Sequence, residues 1–178
     1  GWLRLNGSPV SPDDLASPTS VVRRQRDFCV QLATRLDFSP TRDGDEAGIL
    51  LRQTDALHAE FCVTRIHGER RLVLRLSEPV KPTEPCKKTV LSNVAAPAGV
   101  IELLVRADRD QYRFTWKSAD GKTGDAGSIP TSALAVEASW PKGIMCFTGI
   151  MVGLYSTGNG AEASAPADFD WFDYLPRE

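Results

Sequence analysis

The chain has 178 residues, a length that suits one domain with its own hydrophobic core. Hydrophobic residues make up 42% and charged residues 25%, and this balance indicates neither a disordered nor a membrane-spanning protein. The net charge of −2 gives no electrostatic reason to expect nucleic acid as a partner, so a neutral ligand is expected.

The segment that opens the chain is predicted to be irregular, because Pro9, Pro12 and Pro18 interrupt residues 1–19. Its first residues, 1–4, lack the pattern of a secretion signal, which favours a mature or excised piece. Beyond residue 19, apolar and polar residues alternate with the period of half-buried strands. In chain order the predicted strands cover 27–36, 47–53, 59–66, 70–76, 100–106 and 111–117.

Turn residues separate these strands and predict how they connect. His67-Gly68 joins two strands of an antiparallel meander, and Asp108 opens the turn of a later hairpin. A connection containing Pro79, Pro82 and Pro85 is predicted to carry the chain between two sheets. A short helix or turn is expected at 132–138, and two strands, one on each side of a Gly-rich turn, are expected to close the domain.

The four cysteines are far apart and form no C-x-x-C pair, which argues against a zinc site. Cys29 and Cys62 lie within predicted strands, where a buried free thiol is expected, and Cys86 is expected to be the most exposed. Disulfide bonds remain an alternative for a secreted protein.

The closing segments carry a family resemblance. The chain resembles the C-terminal domain of family 43 glycoside hydrolases, a group that includes β-xylosidases and arabinofuranosidases. The resemblance spans essentially the whole chain and rests on these segments: Leu3-Arg4-Leu5-x-Gly7-x-Pro9, Ser17-Pro18-Thr19, Arg23-x-Gln25, Glu46-Ala47-Gly48-Ile49-Leu50, Phe147-Thr148-Gly149, Gly153-Leu154-Tyr155-x-Thr157-Gly158-Asn159-Gly160 and Ala167-Asp168-Phe169-Asp170-Trp171-Phe172-x-Tyr174.

The resemblance implies an all-β fold, a concanavalin A-like antiparallel sandwich or jelly roll, as a single domain over 1–178. It also implies a non-catalytic module that binds xylan or arabinoxylan, because the family's catalytic carboxylates belong to a separate five-bladed propeller. The expected partners are therefore a xylan-type polysaccharide and the propeller of a parent enzyme, with no nucleic acid and no membrane. An extracellular location in a secreted cell-wall-degrading enzyme is expected on the same ground.

Aromatic and amide side chains are the candidates for sugar binding, since aromatic rings stack on pyranose faces and amides hydrogen-bond hydroxyls. The predicted ligand-binding residues are Trp140, Tyr155, Asn159 and Trp171. For Phe147 the resemblance implies a position at the mouth of the parent enzyme's active site. Strand parity with Tyr155 alone would instead make Phe147 a core residue.

The acidic residues near the end of the chain suggest no strong catalytic pair. Asp168 and Asp170 would share one strand face while Asp173 would point away, so this strand is not expected to hydrolyse glycosides. No cofactor is required by this interpretation. A structural calcium held by Asp168 or Asp170 is a further possibility that the sequence leaves open, beside the simpler interpretation as strand-end carboxylates.

Two alternative functions remain open. The domain could be a structural accessory that stabilises a propeller and completes its active site without binding sugar itself. It could also be a stand-alone jelly-roll lyase or hydrolase, which would need acids with Tyr, His or Arg clustered on a concave sheet. The loose candidates for such a cluster are Arg35, Arg52, Arg65 and Tyr112.

Overall fold

A computed structural model describes residues 1–177, which form two antiparallel sheets and little helix. The strands are β1 (Leu3–Leu5), β2 (Thr19–Arg24), β3 (Val30–Asp37), β4 (Glu46–Arg52), β5 (His58–Ile66), β6 (Glu69–Glu78), β7 (Lys87–Ala95), β8 (Ile101–Ala107), β9 (Gln111–Ser118), β10 (Thr123–Pro130), β11 (Met151–Thr157) and β12 (Ala167–Pro176). Between β10 and β11 lie the short helix α1 (Val136–Ser139) and two 3-10 turns, Thr131–Leu134 and Trp140–Lys142.

The two sheets have six strands each. The front sheet has the order β2-β11-β4-β5-β6-β7, and the back sheet has the order β1-β12-β3-β8-β9-β10. Their facing sides enclose the hydrophobic core, which includes a Phe61 ring from the front sheet packed edge-on against Phe114 from the back sheet, with centroids 5.5 Å apart. The predicted antiparallel β-sandwich is therefore confirmed.

Two supersecondary predictions are also confirmed. Strands β4, β5 and β6 form the expected meander, with Ile49 opposite Phe61 and Phe61 opposite Leu74. Strands β8 and β9 form the expected hairpin, in which Val105 lies opposite Phe114. Both segments alternate between a core-facing and an outward residue, and this alternation is the signal that the sequence carried.

The prediction that the Pro-rich connection changes sheets is wrong. Residues 79–86 lead from β6 to β7, its neighbour in the front sheet, and the chain crosses to the back sheet afterwards at 96–100. Strand β7 was not anticipated because most of its residues are half-buried or exposed, so it has no apolar alternation. An edge strand has fewer neighbours to bury its side chains, and its sequence can stay polar.

Three further strands were not predicted, and the first of them, β1, is a three-residue strand within the segment predicted to be irregular. Strand β2 lies at the other edge of the front sheet and is exposed along most of its length. Strand β10 contains glycines that resemble a turn. Gly124 nevertheless lies within the strand, where the Trp116 ring covers it so closely that an added Cβ would lie 2.5 Å from the ring. The expected turn at 132–138 is present as the 3-10 turn followed by α1.

The four cysteines are free, so the disulfide alternative does not describe this structure. Cys62 is buried as expected, whereas Cys29 and Cys86 are both half-buried. Within residues 1–177 no helix has the length and apolar character that crossing a membrane requires.

Candidate functional site: the loop end of the sandwich

Five connections meet at one end of the sandwich, which we call the loop end. Successive antiparallel strands reverse direction, so alternate connections fall at the same end. In the front sheet Met151 lies opposite both Arg24 and Arg52 at this end. A short link then leads from β2 into the back sheet, where Val30 lies opposite Ala107. The loop end comprises the connections 25–29, 53–57, 79–86, 108–110 and 131–150.

Large apolar side chains are exposed at the loop end. Phe147 is 75% exposed, Phe28 74%, Met145 68% and Trp140 58%. Isolated exposed apolar residues are normal on protein surfaces, but several of them at one end of a domain indicate a surface that contacts something else.

The segment that carries Phe147 is anchored from below. Cys146 is buried, and its sulfur lies 3.1 Å from the hydroxyl of Ser139 in α1. The backbone N–H of Ile144 donates to the Ser139 carbonyl at 3.3 Å. Because Met145 and Phe147 flank the buried Cys146, both project outward. Parity with Tyr155 does not apply to Phe147, since β11 begins only at Met151, and the interpretation of Phe147 as a core residue is wrong.

The four predicted sugar-binding residues do not share a surface. Trp140 lies at the loop end, beside Glu137 and Pro141 in a shallow groove. Asn159 lies at the opposite end, in the turn between β11 and β12, where its amide donates to the Gly44 carbonyl at 2.6 Å. Its φ of 48° lies in the left-handed region, which asparagine between two glycines adopts readily in a turn.

The other two members of that set lie on the two sheets. Trp171 is half-buried at an irregularity of β12 in the back sheet, and its carbonyl accepts a hydrogen bond from the Thr34 hydroxyl at 2.6 Å. Tyr155 is fully buried on the outward side of β11, so its ring is not available for stacking on a sugar. Among the four, Trp140 has the open aromatic face that sugar stacking requires.

The two carboxylates considered for calcium are engaged by arginines. Asp168 accepts two hydrogen bonds of 2.7 Å from Arg4, and this pairing lowers the pKa of Asp168. Asp170 lies 3.5 Å from the guanidinium of Arg35. Within residues 1–177 no group of three or more His, Cys, Asp or Glu side chains is arranged to hold a metal ion. The structure therefore gives the calcium interpretation no additional ligands of these types.

A cluster of buried charges, which was not predicted from the sequence, lies on the outward side of the front sheet. The Arg75 guanidinium donates to both carboxylate oxygens of Glu46, at 2.8 and 2.5 Å, and to Glu60 at 2.8 Å. The Tyr155 hydroxyl lies 3.5 Å from Glu46. Burial raises the pKa of Glu46, with Glu60 adding to the effect and Arg75 opposing it. We call Glu46, Glu60 and Arg75 the buried triad.

The buried triad does not form an open catalytic site. The side chains of Glu46, Glu60 and Arg75 are only 5%, 2% and 15% exposed, so a saccharide has no path to them in this structure. The loose candidates for a stand-alone enzyme are also divided, because Arg52 lies on the front sheet and Tyr112 on the back sheet. The candidates named from the sequence therefore do not form one cluster on a single sheet.

Residues 9–18 cross the outward side of the front sheet as an N-terminal strap. Pro12 and Pro18 are buried, and Asp13 reaches His58 on β5, with its carboxylate 3.4 Å from the ring nitrogen, and Lys88 on β7. His58 is fully buried, and burial lowers its pKa to about 4, with Lys88 adding to the effect and Asp13 opposing it. The segment predicted to be irregular thus closes one face of the sandwich.

Comparison with known families settles what kind of domain this is. The family described as "Beta xylosidase C-terminal Concanavalin A-like domain" matches residues 1–175. The chain belongs to this family of glycoside hydrolase family 43 C-terminal domains. This confirms the resemblance inferred from the closing segments and the fold class inferred with it.

Named relatives support the membership. This family 43 C-terminal domain is 31% identical over 176 residues to a non-reducing end alpha-L-arabinofuranosidase of Bacteroides ovatus, covering 98% of this chain and 31% of that protein. It is 25% identical over 172 residues to a xylosidase/arabinosidase of Butyrivibrio fibrisolvens, covering 97% of this chain and 31% of the relative. The chain therefore spans about a third of the length of these relatives.

Solved structures agree in fold. The Bacteroides ovatus xyloglucan PUL GH43B structure matches with a TM-score of 0.86 and 29% identity, over 99% of this chain and 33% of that one. The GH43 protein BlXynB of Bacillus licheniformis matches with the same TM-score at 24% identity, which supports the fold alone. The family 43 C-terminal domain described here contains the two sheets of the sandwich and, within residues 1–177, no propeller blades.

Proposed function

We propose that this chain is the accessory domain of a family 43 glycoside hydrolase, which docks onto the catalytic domain through the segment around Phe147 at its loop end and places Phe147 at the mouth of the substrate pocket. The exposed position of Phe147 on an anchored segment is the observation that carries the proposal. The chain itself is proposed to be non-catalytic.

The physical argument rests on exposed apolar area. Fully burying a Phe or Met side chain contributes about 1.5–3 kcal/mol to association or folding, and Phe147 and Met145 leave most of this unused in the isolated domain. The buried Cys146 anchors the backbone between these two residues, so less backbone freedom is lost when they dock. An ordered aromatic ring at a pocket mouth narrows the space for substrate and orients it for reaction.

The substrate class follows from the relatives rather than from this chain. The relatives named above are described as an arabinofuranosidase and a xylosidase/arabinosidase. We therefore propose that the assembled enzyme acts outside the cell on terminal xylose or arabinose units of xylan-type polysaccharides.

The test compares two alanine variants in the glycoside hydrolase that carries this chain. Phe147→Ala is expected to lower kcat/KM for aryl xyloside or aryl arabinofuranoside by about tenfold or more, because the pocket mouth loses its aromatic wall. Val90→Ala is the matched control, since Val90 is also exposed but lies on edge strand β7. Equal kcat/KM for the two variants would remove the pocket role of Phe147.

A second candidate function is binding of xylan-type polysaccharide by the chain itself. The exposed Trp140 favours it, because an open indole face suits stacking on a sugar ring. Titration of the 178-residue chain with xylo-oligosaccharides, and with cello-oligosaccharides for comparison, tests this function directly. Saturable heat with the xylo-oligosaccharides supports it, and the absence of heat at high concentrations of both protein and sugar contradicts it.

A further inference from the structure

We infer that a cleft beside Phe28, at the loop end, is a binding site for a neutral oligosaccharide. The cleft has a volume of about 500 Å³ and lies between the link 25–29, the β8–β9 turn and the segment 131–135. This volume is within the range of small-molecule sites, roughly 300–1,000 Å³. The inference concerns the second candidate function and gives it a site, and it does not depend on docking by Phe147.

The floor of the cleft is fixed by hydrogen bonds. Tyr112 donates its hydroxyl to the Gln25 side-chain oxygen at 3.0 Å, and the Gln25 amide donates to the Asp27 carbonyl at 2.9 Å. The backbone N–H of Gln25 donates to the carbonyl of Ile150 at 2.9 Å. The link is thus tied to both sheets, and a bound ligand would not need to order it.

A second tyrosine fixes the other side of the same link. The Tyr174 hydroxyl accepts hydrogen bonds from the backbone N–H groups of Arg26 and Asp27, at 2.8 and 3.1 Å. It donates in turn to the Asp27 carboxylate at 2.8 Å. Arg23 stacks on the Tyr174 ring, with its guanidinium carbon 4.0 Å from the centroid. Among residues 1–177 the other carboxylate oxygen of Asp27 has no hydrogen-bond donor, so it can accept a bond from a ligand hydroxyl.

Phe28 supplies the apolar platform of the cleft. Its ring is 74% exposed, and the Arg109 guanidinium lies 5.6 Å from the ring centroid. This contact restrains an otherwise free side chain and leaves Arg109 with N–H donors for sugar hydroxyls. Asp108 accepts the backbone N–H groups of Asp110 and Gln111 with one oxygen, at 2.8 Å each, and its other oxygen is free.

The composition of the cleft favours a neutral sugar over a charged ligand. Two carboxylates, Asp27 and Asp108, are balanced by two guanidinium groups, Arg26 and Arg109. The cleft thus combines an aromatic face with donors and acceptors but carries no net charge, and sugars need that combination: their apolar ring faces stack while their hydroxyls both donate and accept.

The sequence does not reveal this site, because its alternating pattern places Phe28 inside a strand. Strand β3 begins at Val30, and Phe28 belongs to the link before it. Trp140, the residue favoured from sequence, lies in a separate groove that shares no lining residue with the cleft. Replacing Phe28 should therefore weaken sugar binding in the cleft, and replacing Trp140 should not.

The experiment is a titration of the 178-residue chain with xylohexaose, followed by calorimetry and by amide chemical shifts. Binding with a Kd on the order of 1 mM is expected. Phe28→Ala is expected to weaken binding about tenfold or more, whereas Phe28→Tyr, which keeps the ring, is expected to stay within about twofold. Trp140→Ala is expected to bind like the wild type. The exposed position of both aromatic residues means that none of these variants should unfold the domain.

The location of the shifted amides completes the test. Shifts confined to 25–28, 108–110 and 131–135 support the cleft. Binding that survives Phe28→Ala but is lost in Trp140→Ala would overturn it and keep carbohydrate binding as a function. Absence of any saturable response at tens of millimolar xylohexaose would overturn the cleft and the second candidate function together, and it would leave the proposed docking of Phe147 untouched.

Discussion

Replacing His58 should flatten the dependence of folding stability on pH. The imidazole is fully buried on the outward side of the front sheet, and its pKa falls from an ordinary 6.5 to about 4. Burial is the main cause. Of the charged groups packed around it, Lys88 and Arg52 lower the pKa further, while Asp13 opposes them. The unfolded chain therefore binds a proton on this residue between pH 6.5 and about 4, and the folded protein does not.

This difference in proton binding determines the sign and the size of the pH effect on the free energy of unfolding. Stability contributed by the neutral buried imidazole is fully present above pH 6.5 and is lost as the pH falls toward 4, because protons then favour the unfolded state. A pKa that falls from 6.5 to about 4 corresponds, at about 1.4 kcal/mol per unit, to about 3 kcal/mol in the free energy of unfolding.

The assay is urea unfolding followed by tryptophan fluorescence at a series of pH values from about 7 to about 4. We expect the wild type to lose about 3 kcal/mol more than His58→Gln over this interval. Comparing how the free energy of unfolding changes with pH, rather than its value at one pH, removes the general destabilisation that the substitution causes. His67→Asn is the matched control, because His67 is exposed in the β5–β6 turn and is the other histidine of the chain. Parallel curves for the wild type and His58→Gln would refute the reasoning.

Two further predictions concern the front sheet. Arg75→Leu should destabilise the domain by about 3–5 kcal/mol near neutral pH, since it leaves Glu46 and Glu60 buried without their cation. This loss, measured by urea unfolding, should become smaller at acidic pH, because the carboxylates are then protonated. If the loss of stability is the same at neutral and at acidic pH, the buried carboxylates are not its cause. Gly48→Ala should cost about 3 kcal/mol or more, because the new Cβ would lie 2.1 Å from the Phe61 carbonyl oxygen on the paired strand. A thermal transition within about 2 °C of the wild type would show that the strands separate more easily than this geometry implies.

The sequence predicted the strands whose apolar side chains alternate toward the core. The segments 47–53, 59–66 and 70–76 carry apolar side chains at every second position toward the core, and all three strands were found. The edge strands β2 and β7 were not found, because a strand with one neighbour can remain polar on both sides. Tertiary pairing, which the local pattern does not contain, creates these strands.

The candidate site was harder to predict than the fold. Phe28 and Phe147 both fit an alternating pattern, but each lies just outside a strand end, where parity no longer decides burial. The link before β3 is anchored by Tyr174 from a distant part of the chain, and the segment before β11 is anchored by the contact of Cys146 with Ser139. A shift of a few residues in a strand boundary is therefore enough to turn an apparent core residue into an exposed one.

One signal for the buried triad was present in the sequence. Leu50 and Cys62 are apolar residues at outward positions of β4 and β5, and they indicate strands buried on both sides. A charged residue at the next outward position of such a strand, as Glu60 is, must then find a buried partner. The pattern could not say that Arg75 on the next strand supplies it.

The sharing of one arginine by two acids also constrains how this domain can change. Losing Arg75 alone leaves two buried carboxylates without a cation. Losing either Glu46 or Glu60 alone alters the charge balance of the remaining pair. A sequence that replaces all three with apolar residues of similar volume can be as stable as the original, although each single step toward it is costly. Descendants and engineered versions of this domain should therefore keep the three residues together or exchange them as a set, and a library that varies these positions one at a time would miss the stable alternatives.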